Sequence, residues 1–477
     1  MKPGARAVLQ RRHLALIAAL AAMAVAGLVF TAVAGASSAK QICDGTATPT
    51  WQVQVAGSGT AADTANGVVT TTGGVTFVTG AVGNASGDLD LSLTELVNGA
   101  KKWTKTWGGA AHGGDGGYAI AFGTKGYLYT AGWTTNTSGN TDILLIKWTT
   151  AGKRVWVRTY NGPKHRIDYT LGLAVDKAGN ATVVGACNGV VSPAYGNIAV
   201  VSWSAKGTLR WARIYIGSGH GVDVPKDVLV AKDGSVYMTG WTWVSGSKWG
   251  AVTAHFSAAG KVLWSRVYLG PNNLGAVGNA IAACPSGGVY VGGGVDTTAT
   301  GTDGMILRYT TAGSLHIFAD DTNGTSNTTA QWFNDIAVTT GKHVIAVGED
   351  EQLDASGDAY FEDYNSAGTA MWPAGDNIMA YGTGTQYFAK VATDSVGGYY
   401  LVGVAGSPTD IYVYRGSQNL GGGYWQSLWG NGDNDGGGHV GANTPNAVAV
   451  AGTTVWVAGT CATAASGTDQ IMVGFAY

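Results

Sequence analysis

Four of the chain's eight histidines share one spacing. His112, His165, His220 and His439 each stand at the same offset before a glycine that closes a short apolar run, at Gly132, Gly185, Gly240 and Gly459. Asp115, Asp168 and Asp223 follow three of them by three positions, and Asp63 holds the same place before Gly80. Imidazoles titrate near neutrality and ligate zinc through a neutral nitrogen, so a ring of His and Asp could hold a divalent metal or do acid-base work. Repetition argues for a plainer use. A recurring His-x-x-Asp is what a hydrogen-bonding device inside each repeat would look like. Neighbouring repeats also hold such residues well beyond the roughly 2 Å bonds of zinc unless the side chains converge.

Aromatic residues give the second signal. Trp133, Trp241, Trp243 and Trp249 come directly after apolar runs, where loops are expected, while Tyr169, Trp332 and Tyr387 share a single offset before the closing glycines Gly185, Gly348 and Gly403. Flat rings beside Asn, Asp and Thr suit sugar binding, because a ring offers an apolar body while its neighbours supply hydrogen bonds. Packing competes for the same rings, since the chain has 17 tryptophans. The one acidic cluster, Glu349 to Asp358, offers hard oxygen ligands of the calcium type, but the EF-hand order of ligands and glycine is missing and a solvated loop is the favoured reading.

The elements that must position these residues recur as well. Apolar runs close at Gly80, Gly132, Gly185, Gly240, Gly293, Gly348, Gly403 and Gly459, a near-constant period of about 54 residues. One such unit predicts four strands: Ala119 to Thr124, then YLYTAG ending at Gly132, then Asp142 to Trp148, then Val155 to Tyr160, with turn residues between them. Trp51, Trp103, Trp156, Trp211 and Trp264 mark the fourth strand at one offset before the next unit's glycine, and Asp90, Asp142, Asp303, Asp358 and Asp469 mark the third strand at one offset after their own. Four-stranded antiparallel sheets repeated radially make a β-propeller. The last unit ends with its third strand, Ile471 to Tyr477, and Trp51 to Gly57 carries the fourth-strand pattern. The sequence therefore predicts an all-β single propeller of eight four-stranded blades, its closing blade shared between the two ends so that no sheet edge is left open there. Loops entering each blade and loops after each second strand then open on one face, around the mouth of the central channel.

The stretches AVDKAGNATVVG and DILLIKWTTAGKRVWVRTYNG resemble the β-propeller repeat of bacterial secreted and surface proteins, the SBBP repeat. The resemblance covers nearly all of the chain after about Thr50, is clear in the first four units and weaker in the fifth and sixth, and implies an extracellular propeller without implying an activity. The eight units depart from the seven in that family's name. The turns AGKRVW and AGKVLW also resemble the tryptophan-docking repeats of quinoprotein dehydrogenases, whose vicinal cysteine pair has no counterpart here.

Composition bounds the function. A formal charge of −2, with 28 Lys plus Arg and no basic run, removes the footprint of a nucleic-acid binder. Lys2, Arg6, Arg11 and Arg12 precede an apolar stretch from Leu14 to about Val33 and small residues up to Ala39, which reads as an export signal over 1–39, a short segment over 40–49 and the propeller over 50–477. Its removal would leave no membrane segment. Four cysteines, Cys43, Cys187, Cys284 and Cys461, suggest disulfides in an exported chain, with Cys43 and Cys461 placed in the closing blade. No G-x-S-x-G, H-E-x-x-H or P-loop occurs. The expectation is a secreted, monomeric, non-catalytic module without a cofactor that presents the channel mouth to a glycan or an extracellular protein. The enzyme alternatives are a lyase or glycosidase using Asp115, Asp168 or Asp223, and a quinoprotein dehydrogenase.

Overall fold

A computed structural model describes residues 49–476, apart from 59–60, 125, 189–195, 245–247, 272, 298–300, 321–330, 351–357, 372–377, 380–385, 406–409, 418–424, 430–442, 453 and 463–467. The export signal, Cys43 and His439 lie outside the described residues. Within them the chain forms 32 strands, numbered β1 to β32, and no helix. They make eight four-stranded antiparallel sheets.

Blade 2 shows the local grammar. Its strands are β6 (Asp115–Phe122), β7 (Tyr127–Thr135), β8 (Thr141–Thr149) and β9 (Arg154–Tyr160), hydrogen-bonded in that order. Turn chemistry sets the ends. Between β8 and β9 the Gly152 N–H donates to the Thr149 carbonyl at 2.9 Å, with Gly152 at φ 77°, a conformation glycine adopts without strain. Between β7 and β8, Asn136 accepts the N–H groups of Ser138 and Asn140 and donates to Asp142 Oδ1 at 2.7 Å. The recurring third-strand aspartate thus fixes the turn before it, and Asn84 with Asp90 repeats the arrangement at 2.8 Å in blade 1.

The innermost strands of blades 1 to 8 are β2 (Thr64–Thr70), β6, β10 (Asp168–Val175), β14 (Asp223–Val230), β18 (Ala276–Ala283), β22 (Gln331–Val338), β26 (Tyr387–Thr393) and β30 (Asn443–Ala451). Each touches the innermost strand on either side, and β30 touches β2, so the ring closes around an axis. The apolar cores lie between blades. Tyr129, Ile143 and Leu145 of blade 2 pack directly on Val183, Val201 and Trp203 of blade 3, all essentially without exposure. A sheet buried on both faces needs continuous apolar strands, and β8 and β12 (Gly196–Trp203) are accordingly buried almost throughout.

The fourth-strand tryptophans lock blade to blade. Trp156, Trp211 and Trp264 donate through Nε1 to the carbonyls of Ala205, Ala258 and Thr311 in the next blade, at 3.3, 3.1 and 2.9 Å. Under two of these rings the glycine has no room for a side chain: a Cβ on Gly260 would come 2.4 Å from Trp211, and one on Gly313 2.8 Å from Trp264.

Blade 8 closes as the chain ends predict. Its order is β1 (Pro49–Val55), β32 (Thr468–Ala476), β31 (Thr454–Ala462) and β30, with Val53 opposite Met472. Gln470 Nε2 donates to the carbonyls of Thr64 and Ala81, both at 3.0 Å, and to Ser92 Oγ at 2.7 Å, tying the seam to blade 1.

Among the described residues no disulfide forms, and the expected pairing of Cys43 with Cys461 reaches outside them. Cys187, Cys284 and Cys461 are buried free thiols on blades 3, 5 and 8. They act as small core side chains. Burial pushes Cys187 and Cys461 up to about 12, with Asp168 and Asp469 adding to the rise.

Candidate functional site

Four tiers of side chains descend from the channel mouth. The uppermost is a turn in the inter-blade loop. His112, His165 and His220 stand at φ 52°, 52° and 51°, and their N–H groups donate to the carbonyls of Gly109, Gly162 and Gly217 at 3.3, 3.0 and 3.1 Å. Blade 5 has Asn273 in the same conformation, φ 52°, closing on Gly270. Asn and His are among the few side chains that tolerate the left-handed region. The spacing of the histidines therefore has a backbone cause. All three side chains are exposed and stand on consecutive blades.

Three positions on, the aspartates are buried and engaged. Asp223, 0% exposed, accepts the Gly217 N–H at 2.8 Å, the Thr242 hydroxyl at 2.6 Å, the Trp243 N–H at 3.2 Å and the Asn197 amide at 3.0 Å. Asp115 accepts the N–H groups of Gly109 and Thr135, Asp168 that of Gly162, and Asp63 those of Gly57 and Gly83. Each one staples the loop from the preceding blade to its own second strand. Gln331, Gln386 and Asn443 occupy this place in blades 6, 7 and 8, all buried, and Gln331 Nε2 donates to Asp350 Oδ2 at 2.6 Å. In blade 8 Pro445 pairs with Gly459 where blade 2 pairs Gly117 with Gly132, which makes the blade 8 hairpin shorter by a single position. His439, outside the described residues, precedes Asn443 by four positions where His112 precedes Asp115 by three.

The next residue along each innermost strand begins the aromatic tier. Tyr169, Trp332 and Tyr387 are the second, second and first residues of β10, β22 and β26, so they belong to strands rather than to the expected loops. All three are half-buried. The blade 2 equivalent is Gly116, and a Cβ there would come 2.2 Å from the ring of Trp133, which is paired with it across β6 and β7 and lies over it. An indole from the second strand thus covers the place that a tyrosine or tryptophan holds elsewhere. The rings sit on blades 2, 3, 6 and 7. In a ring of eight, blade 2 is opposite blade 6 and blade 3 opposite blade 7, so the blades that carry Trp133 and Trp332 stand across the axis from each other, as do those of Tyr169 and Tyr387.

Trp241 and Trp243 behave differently. Both lie within β15 (Val236–Val244), and each meets Trp249 of β16 (Lys248–Phe256) edge-on with ring centroids 4.3 Å apart. Trp241 is 3% exposed, and Trp243 covers Gly219 and Gly221 of the loop that carries His220. These two rings pack.

The lowest tier was invisible to motif reading. Every innermost strand carries a β-bulge at one place, at Asn66, Tyr118, Leu171, Lys226, Asn279, Asn334, Ala389 and Asn446. Bulges re-aim side chains. Here four asparagines reach the next blade: Asn66, Asn279, Asn334 and Asn446 donate Nδ2 to the carbonyls of Gly117, Phe333, Phe388 and Ala65 at 2.8, 2.9, 3.0 and 2.9 Å. The following residue is Asp227 in blade 4, Asp335 in blade 6 and Lys390 in blade 7. Asp227 accepts the N–H groups of Val228 and Ile281, and Asp335 those of Ile336 and Val391, so both carboxylates stitch their blade to the next. Lys390 Nζ lies 4.0 Å from Asp335 Oδ2 with 42% of its side chain accessible.

These groups stand near enough to one another to couple electrostatically. Burial pushes Asp227 up to about 6, the Ile281 N–H opposes the rise, and Asp335 reinforces it. Burial drives Lys226 down to about 8, and Lys390, three blades away, adds to the fall. Tyr118 of blade 2 is raised by burial and feels both Lys390 and Asp227. Half-exposed side chains surrounded by protein are what the wall of a narrow channel presents.

Among the described residues no cluster of His, Cys, Asp and Glu could hold a metal ion. No helix of the described residues is long and apolar enough to cross a membrane.

No protein-family model matches the chain, and no curated protein matches it. Solved structures do. The chain is similar to the quinohemoprotein alcohol dehydrogenase ADHIIG from Pseudomonas putida HK5, at 10% identity over 91% of this chain and 76% of that one, with a TM-score of 0.48. It is similar to the BP39L lectin from Burkholderia pseudomallei, at 12% identity over 76% and 97%, with a TM-score of 0.46. A third is the polysaccharide lyase Uly1, at 10% identity over 79% and 93%, with a TM-score of 0.44. At such identities the likeness is one of chain path and carries no function.

Proposed function

We propose that the chain is a secreted, non-catalytic recognition propeller that binds a glycan at its channel mouth. The observation that carries the reading is the aromatic tier, in which half-buried Trp133, Tyr169, Trp332 and Tyr387 stand at one level on two pairs of opposite blades above a polar belt. Half-buried rings on rigid strands lose little freedom on binding and offer flat apolar faces for sugar rings. The basic and apolar N-terminus and the resemblance to the SBBP repeat support export. The aspartates that a glycosidase would need, Asp115, Asp168 and Asp223, are buried and hydrogen-bonded to the loops they staple, which favours binding over turnover.

The test is retention of the purified protein on an immobilised oligosaccharide panel, with reducing ends and unsaturated products assayed in the same wells. Retention without product supports the reading. Product formation would replace it with a lyase or glycosidase, and a protein ligand captured with no glycan retained would replace the glycan.

A further inference from the structure

The polar belt beneath the aromatic tier contains cations whose partners are incomplete. Both carboxylates of the belt are committed to backbone N–H groups, Asp227 to Val228 and Ile281 at 2.7 and 3.0 Å, Asp335 to Ile336 and Val391 at 3.0 and 3.1 Å. Lys390 has one ion pair at 4.0 Å, with Asp335, and no closer acceptor among the described residues. Lys226 and the Tyr118 hydroxyl have no hydrogen bond among the described residues. Lys226 occupies the bulge position, where asparagines in four other blades complete contacts with a neighbouring blade; here that place carries an ammonium group inside the channel. Two ammonium groups and a phenol at this level thus donate no hydrogen bond among the described residues, and such donors are the chemistry that receives an anion. At about 3.3 Å of rise per residue, the two steps from Val224, which is level with the aromatic tier, down to Lys226 place the belt roughly 7 Å deeper. That depth is on the scale of a single sugar ring.

We propose that the waist of the channel is an anion site in which Lys226 and Lys390, with the Tyr118 hydroxyl, hold a carboxylate or sulfate ester of a glycan whose rings rest on the aromatic tier. The inference rests on the glycan reading and narrows it to acidic glycans. Lys226 and Lys390 project from blades 4 and 7, so one anion between them bridges the ring and offsets the repulsion of the two ammonium groups.

Calorimetric titration of the full chain with trigalacturonate, a sulfated galactan trisaccharide and neutral galactotriose tests the site. The account expects at least one acidic sugar to bind about tenfold or more tightly than the neutral one, since a hydrogen bond to a charged group is worth about that much. Lys226→Met should erase the difference and Lys226→Arg restore most of it, with unfolding midpoints no lower than that of the wild type. Preference for trigalacturonate or for the sulfated sugar identifies the anion. Equal binding of all three sugars, unchanged by Lys226→Met, would overturn the anion site and leave the glycan reading standing. Loss of the acidic preference in Lys226→Met with no effect of Tyr169→Ala or Tyr387→Ala would support the anion site and remove the aromatic platform. Failure of all three sugars to bind would overturn both for these ligands.

Discussion

Gln54 Nε2 donates to Asp469 Oδ2 at 2.6 Å across 415 residues of sequence. The two residues stand on β1 and β32, next to each other in the closing blade, so this contact joins the chain's first described strand to its last. Gln54→Ala should lower stability by about 1–3 kcal/mol, because it removes a hydrogen bond to a charged group. Thermal unfolding checks this, and deletion of residues 1–57 should further give aggregation through the freed edge of β32. A deletion variant that stays monodisperse with an unchanged midpoint would contradict the closure.

His and Asp of the repeated His-x-x-Asp should separate cleanly in mutagenesis. Asp223→Ala strands buried donors from Gly217, Thr242, Trp243 and Asn197 and should cost about 3–5 kcal/mol in denaturant unfolding. His220→Asn should fall within about 0.5 kcal/mol of the wild type, while His220→Val should cost about 1–2 kcal/mol, since a β-branched residue resists φ 51°. If the Asn and Val variants were equally stable, the backbone account of the histidine spacing would be wrong.

Much of this architecture was legible because it is marked by residues that recur for a steric reason. The closing glycines sit where a Cβ would strike the first strand: at Gly132 it would come 1.8 Å from the Gly116 carbonyl. The tryptophan and aspartate registers likewise mark inter-blade and turn hydrogen bonds, and they predicted the strands and the shared blade. The belt escaped because its bulge accepts Asn, Tyr, Leu, Lys or Ala, so no single residue type announces it. Laying the repeats on one another would have shown Tyr118 and Lys226 at one offset from Gly132 and Gly240, and Asp227, Asp335 and Lys390 at the next offset from Gly240, Gly348 and Gly403. Cysteine number has no such register behind it. Pairing depends on where the sheets place the thiols, and Cys187 and Cys461 stand at equivalent places on different blades, opposite Asp168 and Asn443.

Acid should favour the fold where carboxylates are buried. Asp63 is pushed from an ordinary 3.8 to about 6, chiefly by burial, so the folded chain binds its proton more tightly than the unfolded chain. That contribution is fully present below about pH 3.8 and is lost as pH rises through 6. The midpoint measured from pH 4 to pH 7 should therefore fall more steeply in the wild type than in Asp63→Asn. Identical slopes would contradict the burial of the charge.

Lys226 carries the opposite sign. Burial lowers it from 10.5 to about 8, so the unfolded chain binds the proton more tightly and stability rises with pH across that interval. Lys226→Met should raise the midpoint at pH 7 and flatten its rise between pH 8 and 10. A fall in the midpoint at pH 7 would show that the ammonium group is stabilising, as a group held in a structural ion pair would be.

The central claim is that the aromatic tier of the channel mouth is a binding surface. Its most direct test is the dissociation constant of the best-retained oligosaccharide for the wild type, Tyr387→Ala and Trp332→Ala, with each variant's unfolding midpoint measured alongside. The account predicts weakening of about tenfold in each variant, the scale of one buried aromatic contact, with midpoints close to the wild type. Unchanged affinity in both variants, or a loss matched by equal destabilisation, would assign these rings to packing and contradict it.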